Sequence, residues 1–299
     1  MGALNMTREG RVAVVTGASS GVGQATARAL AARGWHVIAL GRDAKRTAAA
    51  AADIRAAAAA GVRVDVIRGD LALLSDTARM ADEIAALTER VHVLVNNAGG
   101  VRTERVITEE GNEATFAGNH LGHFLLTRRL MPQLRAAAAT AEPGTVRVVS
   151  VSSNAHESSS GIDWNDLQQT REWSSGKSYV LAKLCNILFT RELARRAAAD
   201  GIIAHVMHPG VVGSNFASHA EPRMRGYLAT LKALSPEEGA DTVVWLATAP
   251  EPGLTTGGYF QNRQLLEPSR AAMDDATAAR LWTESEALAK RAGAKLQPG

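Results

Sequence analysis

The sequence has little cysteine, no apolar segment long enough to cross a membrane and almost no excess of charge. Its one cysteine, Cys185, excludes an internal disulfide and is typical of a reducing compartment. The longest stretch without Lys, Arg, Asp or Glu is 201–220, whose histidines, proline and asparagine make it too polar for a membrane span. The first residues, MGALNMTREG, lack the apolar core of a signal peptide. We therefore expect a cytoplasmic protein with no membrane partner.

The charge balance also excludes a class of partner. The chain has 33 Lys and Arg residues against 30 Asp and Glu, a formal net charge of +3, and no basic block stands out. We therefore expect no nucleic-acid partner. With 299 residues and 46% hydrophobic composition, the chain can bury a large core, which excludes a disordered protein. The alanine runs at 48–52, 56–60 and 136–139 are interpreted as helix-forming sequence.

Short apolar runs alternate with helical sequence along most of the chain. The runs predicted as strands are 12–16, 36–40, 62–67, 91–95, 146–151, 202–207 and 258–261. The predicted helices are 21–33, the stretch after Asp43, 75–90, 108–138, 178–199, 236–249 and 270–292. Continuous apolar strands separated by helices predict a parallel sheet covered on both faces, an α/β fold of the Rossmann-type doubly wound kind. No linker divides the chain, so a single domain over 1–299 is expected.

A glycine-rich turn follows the first predicted strand, with the sequence TGASSGVG at 16–23. Glycines permit a tight turn and close approach of a ligand to the backbone. The following helix N-terminus offers unpaired N–H groups and the positive end of its dipole to a pyrophosphate. Such turns also serve plain strand–helix packing, but the position after the first strand favours dinucleotide binding.

The end of the second predicted strand bears on the choice of dinucleotide. A carboxylate there would bind the ribose 2′-hydroxyl of NAD, whereas an arginine can pair with the 2′-phosphate of NADP. The sequence has Arg42 followed by Asp43, and Arg42 lies 25 residues beyond Gly17. Arg42 could instead be a surface residue, and Asp43 could cap the next helix or accept a ribose hydroxyl. The residues favour NADP, with NAD as the alternative.

A second group of residues is suited to proton transfer. Tyr179 and Lys183 are four apart and share one face of a predicted helix. A tyrosine acts poorly as a base near pH 7, and lowering its pKa from about 10 requires roughly 4 kcal/mol. A lysine ammonium about 4 Å away supplies an energy of that order at an effective dielectric near 20. An exposed pair is the usual interpretation of this spacing, but Ser152 and Ser153 end the fifth predicted strand nearby and favour a general acid–base site.

Taken together, these motifs resemble the short-chain dehydrogenases/reductases over about residues 10–265. The resemblance rests on TGASSGVG, Asp70-Leu71, Asn96-Asn97-Ala98-Gly99, Asn119, Ser153, Tyr179-x-x-x-Lys183 and His208-Pro209-Gly210, which occur in the family's order. NHLGHFLLT at 119–127, SVSSNAH at 150–156, DWNDL at 163–167 and LAKLCNILFTRELARR at 181–196 are similar to the branch that contains retinol dehydrogenases and the WW-domain oxidoreductase. Only the catalytic domain of that branch is comparable.

The resemblance implies roles for individual residues. Tyr179 would be the general acid/base, Lys183 would lower its pKa and hold the nicotinamide ribose, and Ser153 would bind the substrate oxygen. Asn119 would hold a water that relays protons to Lys183. The implied cofactor-binding residues, besides Tyr179 and Lys183, are Gly17, Ser19, Ser20, Gly21, Val22, Gly23, Arg42, Asp70, Leu71, Asn97, Ala98, Gly99, Pro209, Gly210, Val212 and Ser214.

Two features depart from the common family pattern. Ser214 stands where the family often has a threonine that contacts the nicotinamide carboxamide. The 26 positions from Ser153 to Tyr179 are twice the usual spacing, although the retinol-dehydrogenase-like branch shares this length. We expect this insert, with Trp164 and Trp173, to border the substrate pocket.

Other candidate sites are given structural interpretations. His120-x-x-His123 and His205-x-x-His208 have spacings compatible with a metal, but without nearby carboxylates or thiolates we expect packing and hydrogen bonding, and no metal. Cys185 is expected to be a buried, inert thiol that faces away from Tyr179. The region 212–235, with Phe216, Met224, Tyr227 and Leu228 in it, is interpreted as a mobile loop over the substrate. The helices at 108–138 and 178–199 are candidates for pairing in a homo-oligomer, as the resemblance implies.

The sequence therefore predicts an NADP(H)-dependent oxidoreductase that acts on a small-molecule carbonyl or alcohol with a hydrophobic part. The alternative is a dinucleotide-binding sensor or scaffold on the same fold, without catalysis. Such a sensor needs the glycine turn but not the Asn119, Ser153, Tyr179 and Lys183 set, and the presence of the whole set favours the enzyme.

Overall fold

A computed structural model describes residues 10–213, 226 and 233–293. Its central element is an eight-stranded sheet in the order β3-β2-β1-β4-β5-β6-β7-β8. The strands are β1 (Val12–Thr16), β2 (His36–Gly41), β3 (Val64–Arg68), β4 (Val93–Asn96), β5 (Arg147–Val151), β6 (Ile203–Met207), β7 (Tyr259–Gln261) and β8 (Gln264–Leu266). The first seven are parallel, and β8 pairs antiparallel with β7 at the edge. The strand order reverses between β1 and β4, which is where doubly wound sheets bind ligands.

Helices cover both faces of the sheet. They are α1 (Gly21–Ala32), α2 (Ala44–Ala57), α3 (Leu74–Leu87), α4 (Ala114–Phe116), α5 (Gly122–Ala138), α6 (Ser175–Ala197), α7 (Pro236–Thr248) and α8 (Asp275–Arg291). A π turn, Ala117–Leu121, joins α4 to α5. Short 3₁₀ turns lie at Asn154–Ser158, Ala198–Asp200, Glu251–Leu254 and Arg270–Met273.

The core has two layers because successive residues of a strand point to opposite faces of the sheet. Val14 of β1 packs in one layer with Phe124 of α5, whereas its neighbour Val15 packs in the other with Leu30 of α1 and Val243 of α7. The parallel strands are buried on both faces, which explains their continuous apolar sequence. The predicted doubly wound α/β fold is confirmed, and all seven predicted strands are present.

Three helices begin three or more residues from the predicted position. The helix expected from residue 108 begins at Ala114, because the Glu113 carboxylate caps it by accepting from the Phe116 N–H at 2.7 Å. The helix expected from 178 begins at Ser175, where Ser174 provides the cap. The terminal helix expected over 270–292 is divided into a 3₁₀ turn and α8. In each case a side-chain cap, rather than apolar periodicity, sets the boundary.

The strand β8 was not predicted. It follows β7 through a two-residue turn formed by Asn262 and Arg263, which have φ angles of 51° and 60°. Such turns usually carry glycine at one of these positions, and its absence here removes the sequence signal for a hairpin.

Candidate active site

A cleft of about 1040 Å³ lies at the carboxyl ends of the parallel strands. The predicted site residues that line it are Gly17, Ser19, Ser20, Gly21, Val22, Arg42, Asp70, Leu71, Asn97, Ala98, Gly99, Asn119, Ser153, Tyr179, Lys183, Pro209, Gly210 and Val212. They come from the ends of six strands and from two helices, so the fold brings together positions that are far apart in the sequence. Ser214 lies outside the described residues, as does most of the predicted mobile region 212–235.

The N-terminus of α1 opens into the cleft with unpaired backbone donors. Ser20 occupies the cap position, but its side chain makes no capping hydrogen bond, and the first turn of α1 contains no acidic residue. The first N–H groups of a helix have no partner within the helix, and they carry its positive dipole end. Since Ser20, Gly21 and Val22 line the cleft, this wall fits the pyrophosphate of a dinucleotide.

Gly23 was predicted to bind cofactor, but it lies behind the cleft wall. A Cβ at this position would lie 2.4 Å from both the Asn97 Nδ2 and the Gly17 carbonyl oxygen. Gly23 therefore lets α1 pack closely against the loop after β4. Of the two interpretations considered for a glycine turn, packing applies to this glycine.

The outer end of the cleft is charged and exposed. The Arg42 Nη1 lies 3.3 Å from the Asp70 Oδ2, and their side chains are 56% and 31% exposed. Asp43 points to its own helix, where it accepts from the Arg46 N–H at 2.8 Å. That hydrogen bond is the main reason why the pKa of Asp43 lies below its ordinary value. Asp43 is thus a cap of α2, and the charged side chains of Arg42, Arg46 and Asp70 line the cleft.

Thr16 holds the loop that follows β4. Its Oγ1 accepts from the N–H groups of Asn97 and Ala98, each at 2.9 Å. The Asn97 Nδ2 donates to the Thr16 carbonyl at 2.8 Å. This buried threonine therefore joins the glycine turn to the loop on the opposite wall. The sequence analysis missed this role, although a hydroxyl residue directly before the first glycine is a usable signal.

His123 links the same threonine to the π turn. Its Nε2 lies 2.9 Å from the Thr16 Oγ1, and its Nδ1 lies 3.0 Å from the Asn119 carbonyl oxygen. Burial lowers the pKa of His123 to about 4, so the ring is neutral and carries one proton. Because a carbonyl can only accept, Nδ1 donates to Asn119 and Nε2 accepts from the Thr16 hydroxyl.

Asn119 is fixed next to Lys183. Its Nδ2 donates to the carbonyls of Gly100 and Thr115, and its Oδ1 accepts from the Gly100 N–H at 3.0 Å. A Cβ at Gly99 would lie 2.6 Å from the Asn119 Oδ1 and 3.2 Å from the Lys183 Nζ. Gly99 therefore leaves the space in which these two polar groups face the cleft together.

Lys183 is 3% exposed and its ammonium donates to the Val151 carbonyl at 3.2 Å. The Ser152 hydroxyl donates to the Lys183 carbonyl at 2.7 Å, which ties α6 to the end of β5. Burial lowers the pKa of Lys183 to about 8, since a charged ammonium is costly in an apolar interior.

The Tyr179 side chain is hydrogen-bonded to Ser153. The Lys183 Nζ lies 5.4 Å from the centre of the Tyr179 ring, so the predicted pair does share one helix face. The expected lowering of the tyrosine pKa is not found. Burial raises the pKa of Tyr179 to about 12, and the hydrogen bond from Ser153 offsets only part of that increase. Desolvation of the phenolate is the larger of these two effects.

Ser153 is held through its main chain by a histidine that the sequence analysis did not single out. The His156 Nδ1 donates to the Ser153 carbonyl at 2.7 Å, and its Nε2 accepts from the Ser269 N–H at 3.2 Å. The segment before α8 is thereby connected to the catalytic end of the cleft. Only the folded chain reveals this contact, because 113 positions of sequence separate His156 from Ser269.

Neither tryptophan of the insert lines the cleft, which corrects the prediction for them. Trp164 lies under the guanidinium of Arg280, whose Cζ is 4.2 Å from the ring centre. Trp173 donates from Nε1 to the Glu113 carboxylate at 3.2 Å. The insert contributes Asn154, Ala155, Ser158 and Gly176 to the cleft instead.

His120 and His205 also make contacts within the protein. The His120 Nε2 lies 3.0 Å from the Ser285 Oγ, and the His205 Nε2 donates to the Pro252 carbonyl at 2.9 Å. Cys185 is fully buried, and burial raises the pKa of its thiol. Among the residues that the structure describes, no helix combines the length and apolar character that a bilayer crossing requires.

Comparison with known proteins gives a consistent result. A family model described as short chain dehydrogenase matches residues 11–225. Retinol dehydrogenase 13 of Homo sapiens is 37% identical over 290 residues, which cover 94% of this chain and 85% of that protein. Polyprenol dehydrogenase of Mus musculus is 38% identical over 289 residues, covering 95% and 85%. The solved complex of Pseudomonas aeruginosa RhlG with NADP has a TM-score of 0.68 at 26% identity, covering 88% of this chain and 97% of that one.

Proposed function

The chain belongs to the short-chain dehydrogenase family, and from that membership we propose that it is an NADP(H)-dependent oxidoreductase that interconverts a carbonyl and an alcohol. The observation that carries the proposal is the arrangement of Asn119, Ser153, Tyr179 and Lys183 in one cleft, whose wall also contains the free N-terminus of α1. A nicotinamide dinucleotide in this cleft supplies or accepts a hydride.

The side chains of the cleft divide the remaining chemistry among them. The Ser153 hydroxyl holds the substrate oxygen and stabilises the negative charge that develops on it. Tyr179 donates its phenolic proton to that oxygen during reduction. In the protein without ligands, a pKa of about 12 keeps Tyr179 protonated at neutral pH. The proton that reduction requires is therefore present on the phenol. Lys183, which lies beside Asn119, returns a proton to Tyr179 by way of the water that Asn119 would hold.

The preference for NADP rests on Arg42. Its guanidinium is the charged group at the end of β2, and the neighbouring Asp43 is occupied as the cap of α2. No carboxylate at position 42 competes for a ribose 2′-hydroxyl. The Arg42–Asp70 ion pair is exposed and therefore weak, so a 2′-phosphate can take over the guanidinium at little cost. Arg46 lies beside it along the cleft.

We propose an apolar alcohol or aldehyde as the substrate. The cleft is lined in part by apolar side chains, including Val101, Val106, Ala155 and Val180. Two relatives carry the names of alcohols with long hydrocarbon chains, retinol and polyprenol. A cytoplasmic location and pairing of α5 and α6 between subunits stay predictions that come from the sequence and from the resemblance.

The test is a panel of retinal, prenyl aldehydes, ketones and the matching alcohols, with NADPH or NADP consumption followed by absorbance. We expect turnover of at least one apolar compound by the wild-type chain and none by the variant Tyr179→Phe. Tight binding of NADPH with no turnover across the panel would favour the sensor alternative, and failure to bind either dinucleotide would contradict both.

A further inference from the structure

Glu113 is a buried carboxylate that the proposed reaction does not use. It is 0% exposed and lies directly before α4. Within the part of the chain that the structure describes, no Lys, Arg or His forms an ion pair with it. A buried carboxylate is costly unless hydrogen bonds replace its hydration. The hydrogen-bond donors around Glu113 therefore take the place of a cation, and they identify the parts of the chain that this carboxylate connects.

Three donors from three parts of the chain meet at this carboxylate. The Phe116 N–H donates to Oε2 at 2.7 Å, and the Ser178 hydroxyl donates to the same oxygen at 2.8 Å. The Trp173 Nε1 donates to Oε1 at 3.2 Å. All three partners are donors, so both oxygens of the carboxylate act as acceptors and hold these three groups together.

The main chain of Glu113 is bound to the same insert. Its N–H donates to the Gln168 Oε1 at 2.6 Å, while the Gln168 Nε2 donates to the Asn112 Oδ1 at 3.1 Å. Gln168, Trp173 and Ser178 all lie between Ser153 and Tyr179. Glu113 is thus the point at which this long insert is attached to the helix region that contains Asn119.

The contacts of Glu113 lie close in sequence to two residues of the proposed reaction, Tyr179 and Asn119. Ser178 directly precedes Tyr179 in the first turns of α6, and Phe116 directly precedes the π turn that contains Asn119. An insert of this length has many conformations, and a fixed point near its end restricts where the following helix begins.

We propose that Glu113 is a positioning residue for the reaction, acting through Ser178 on Tyr179 and through α4 on Asn119. The proposal rests on the proposed function, since Tyr179 and Asn119 matter as a pair only in that reaction. Glu113 itself touches neither substrate nor cofactor. Loss of the contact should therefore lower kcat while leaving the KM for substrate and the Kd for NADPH nearly unchanged.

The chain offers a matched pair of variants for this test. Ser178 and Ser175 are both buried serines in the first turns of α6, each 1% exposed. The Ser178 hydroxyl donates to Glu113, whereas the Ser175 Oγ has no hydrogen-bond partner among the residues that the structure describes. Alanine is a good helix former at both positions, so neither change should prevent folding. The two variants differ in the contact with Glu113 and in little else.

We expect Ser178→Ala to lower kcat about tenfold, the size of effect that loss of one buried hydrogen bond supports. Ser175→Ala should stay within about twofold of wild type, as for a change that removes no contact. Glu113→Gln should lower kcat at least as much as Ser178→Ala, and the double variant should fall no further than Glu113→Gln alone. Equal kcat values for the Ser178→Ala and Ser175→Ala variants, or fully additive losses, would overturn the proposal.

Amide hydrogen exchange of the peptide around residues 173–183 gives a readout that needs no substrate. Exchange should rise in Ser178→Ala and Glu113→Gln but not in Ser175→Ala. If the wild-type chain turned over no compound, the proposed reaction would fail, whereas this exchange comparison would still decide whether Glu113 holds the start of α6. Unchanged exchange in Glu113→Gln would overturn the positioning role even in an active enzyme.

Discussion

The two ends of the cleft are built in opposite ways. At the inner end, Asn119 and Lys183 are each 3% exposed and are bound to main-chain groups. At the outer end, Arg42 is 56% exposed and pairs with Asp70 at 3.3 Å in solvent. Buried polar groups must find partners, so the fold determines their positions. Exposed ion pairs contribute little and rearrange easily. We infer that the inner end determines whether the reaction occurs, and that the outer end affects only the preference between NADP and NAD.

The largest effect is expected from a change of the inner tyrosine. Tyr179→Phe removes the proton donor and should lower kcat by about 10³-fold or more, within the range of general acid catalysis. The Kd for NADPH, measured by fluorescence titration, should change little, because the ring and its packing are kept. A variant that retained a tenth of the wild-type kcat would show that another group supplies the proton.

A change at Lys183, also at the inner end, is expected to affect the stability and the activity of the protein in opposite directions. Because burial lowers the Lys183 pKa from 10.5 to about 8, its charge costs the folded state about 3 kcal/mol below pH 8. The unfolded chain binds this proton more tightly than the folded one. The free energy of unfolding of the ligand-free protein should therefore rise as pH increases from about 8 to 10.5.

The variant Lys183→Met tests this cost. At pH 7 it should unfold at a higher urea concentration than wild type while being inactive, and its advantage should disappear by about pH 10.5. Urea unfolding of both proteins at several pH values measures it. A Lys183→Met variant that is less stable than wild type at pH 7 would show that the ammonium is well solvated or paired.

The smallest effect is expected at the outer end. Arg42→Ala should weaken NADPH binding about tenfold, as for loss of one exposed charge-assisted hydrogen bond, and leave NADH binding unchanged. Arg63→Ala is a matched control, because Arg63 is 55% exposed and pairs with Asp65 away from the cleft. Titration of both dinucleotides at two salt concentrations would check this. Equal loss of NADH and NADPH affinity would refute the assignment of the 2′-phosphate to Arg42.

The sequence was sufficient where local pattern determines structure. Apolar runs predicted every parallel strand, and the glycine turn, Ser153 and the Tyr179–Lys183 spacing predicted residues that the fold brings into one cleft. The contacts that hold the cleft together depend on pairs that meet only after folding. The Asn97 N–H reaches the Thr16 Oγ1 across 81 positions of sequence, and the local sequence shows only that a hydroxyl precedes the first glycine, not which group it binds.

The sequence was also insufficient for the pKa of Tyr179 and for the positions of the tryptophans in the insert. The sequence shows that Tyr179 and Lys183 are neighbours, but the raised pKa of Tyr179 follows from burial, which only the packed structure reveals. Trp164 and Trp173 were expected at the pocket because they lie in the insert between Ser153 and Tyr179. Partners elsewhere, Arg280 and Glu113, determine where these rings lie.

The most direct test of the central claim is transfer of a labelled hydride at the inner end of the cleft. Wild-type protein would be incubated with NADPH deuterated at C4 of the nicotinamide and with a carbonyl substrate from the panel, and the product alcohol analysed by mass spectrometry. The account predicts one deuterium on the carbinol carbon, and almost no product with Tyr179→Phe. An alcohol without deuterium at that carbon from either C4 face, or equal labelled product from the variant, would contradict it.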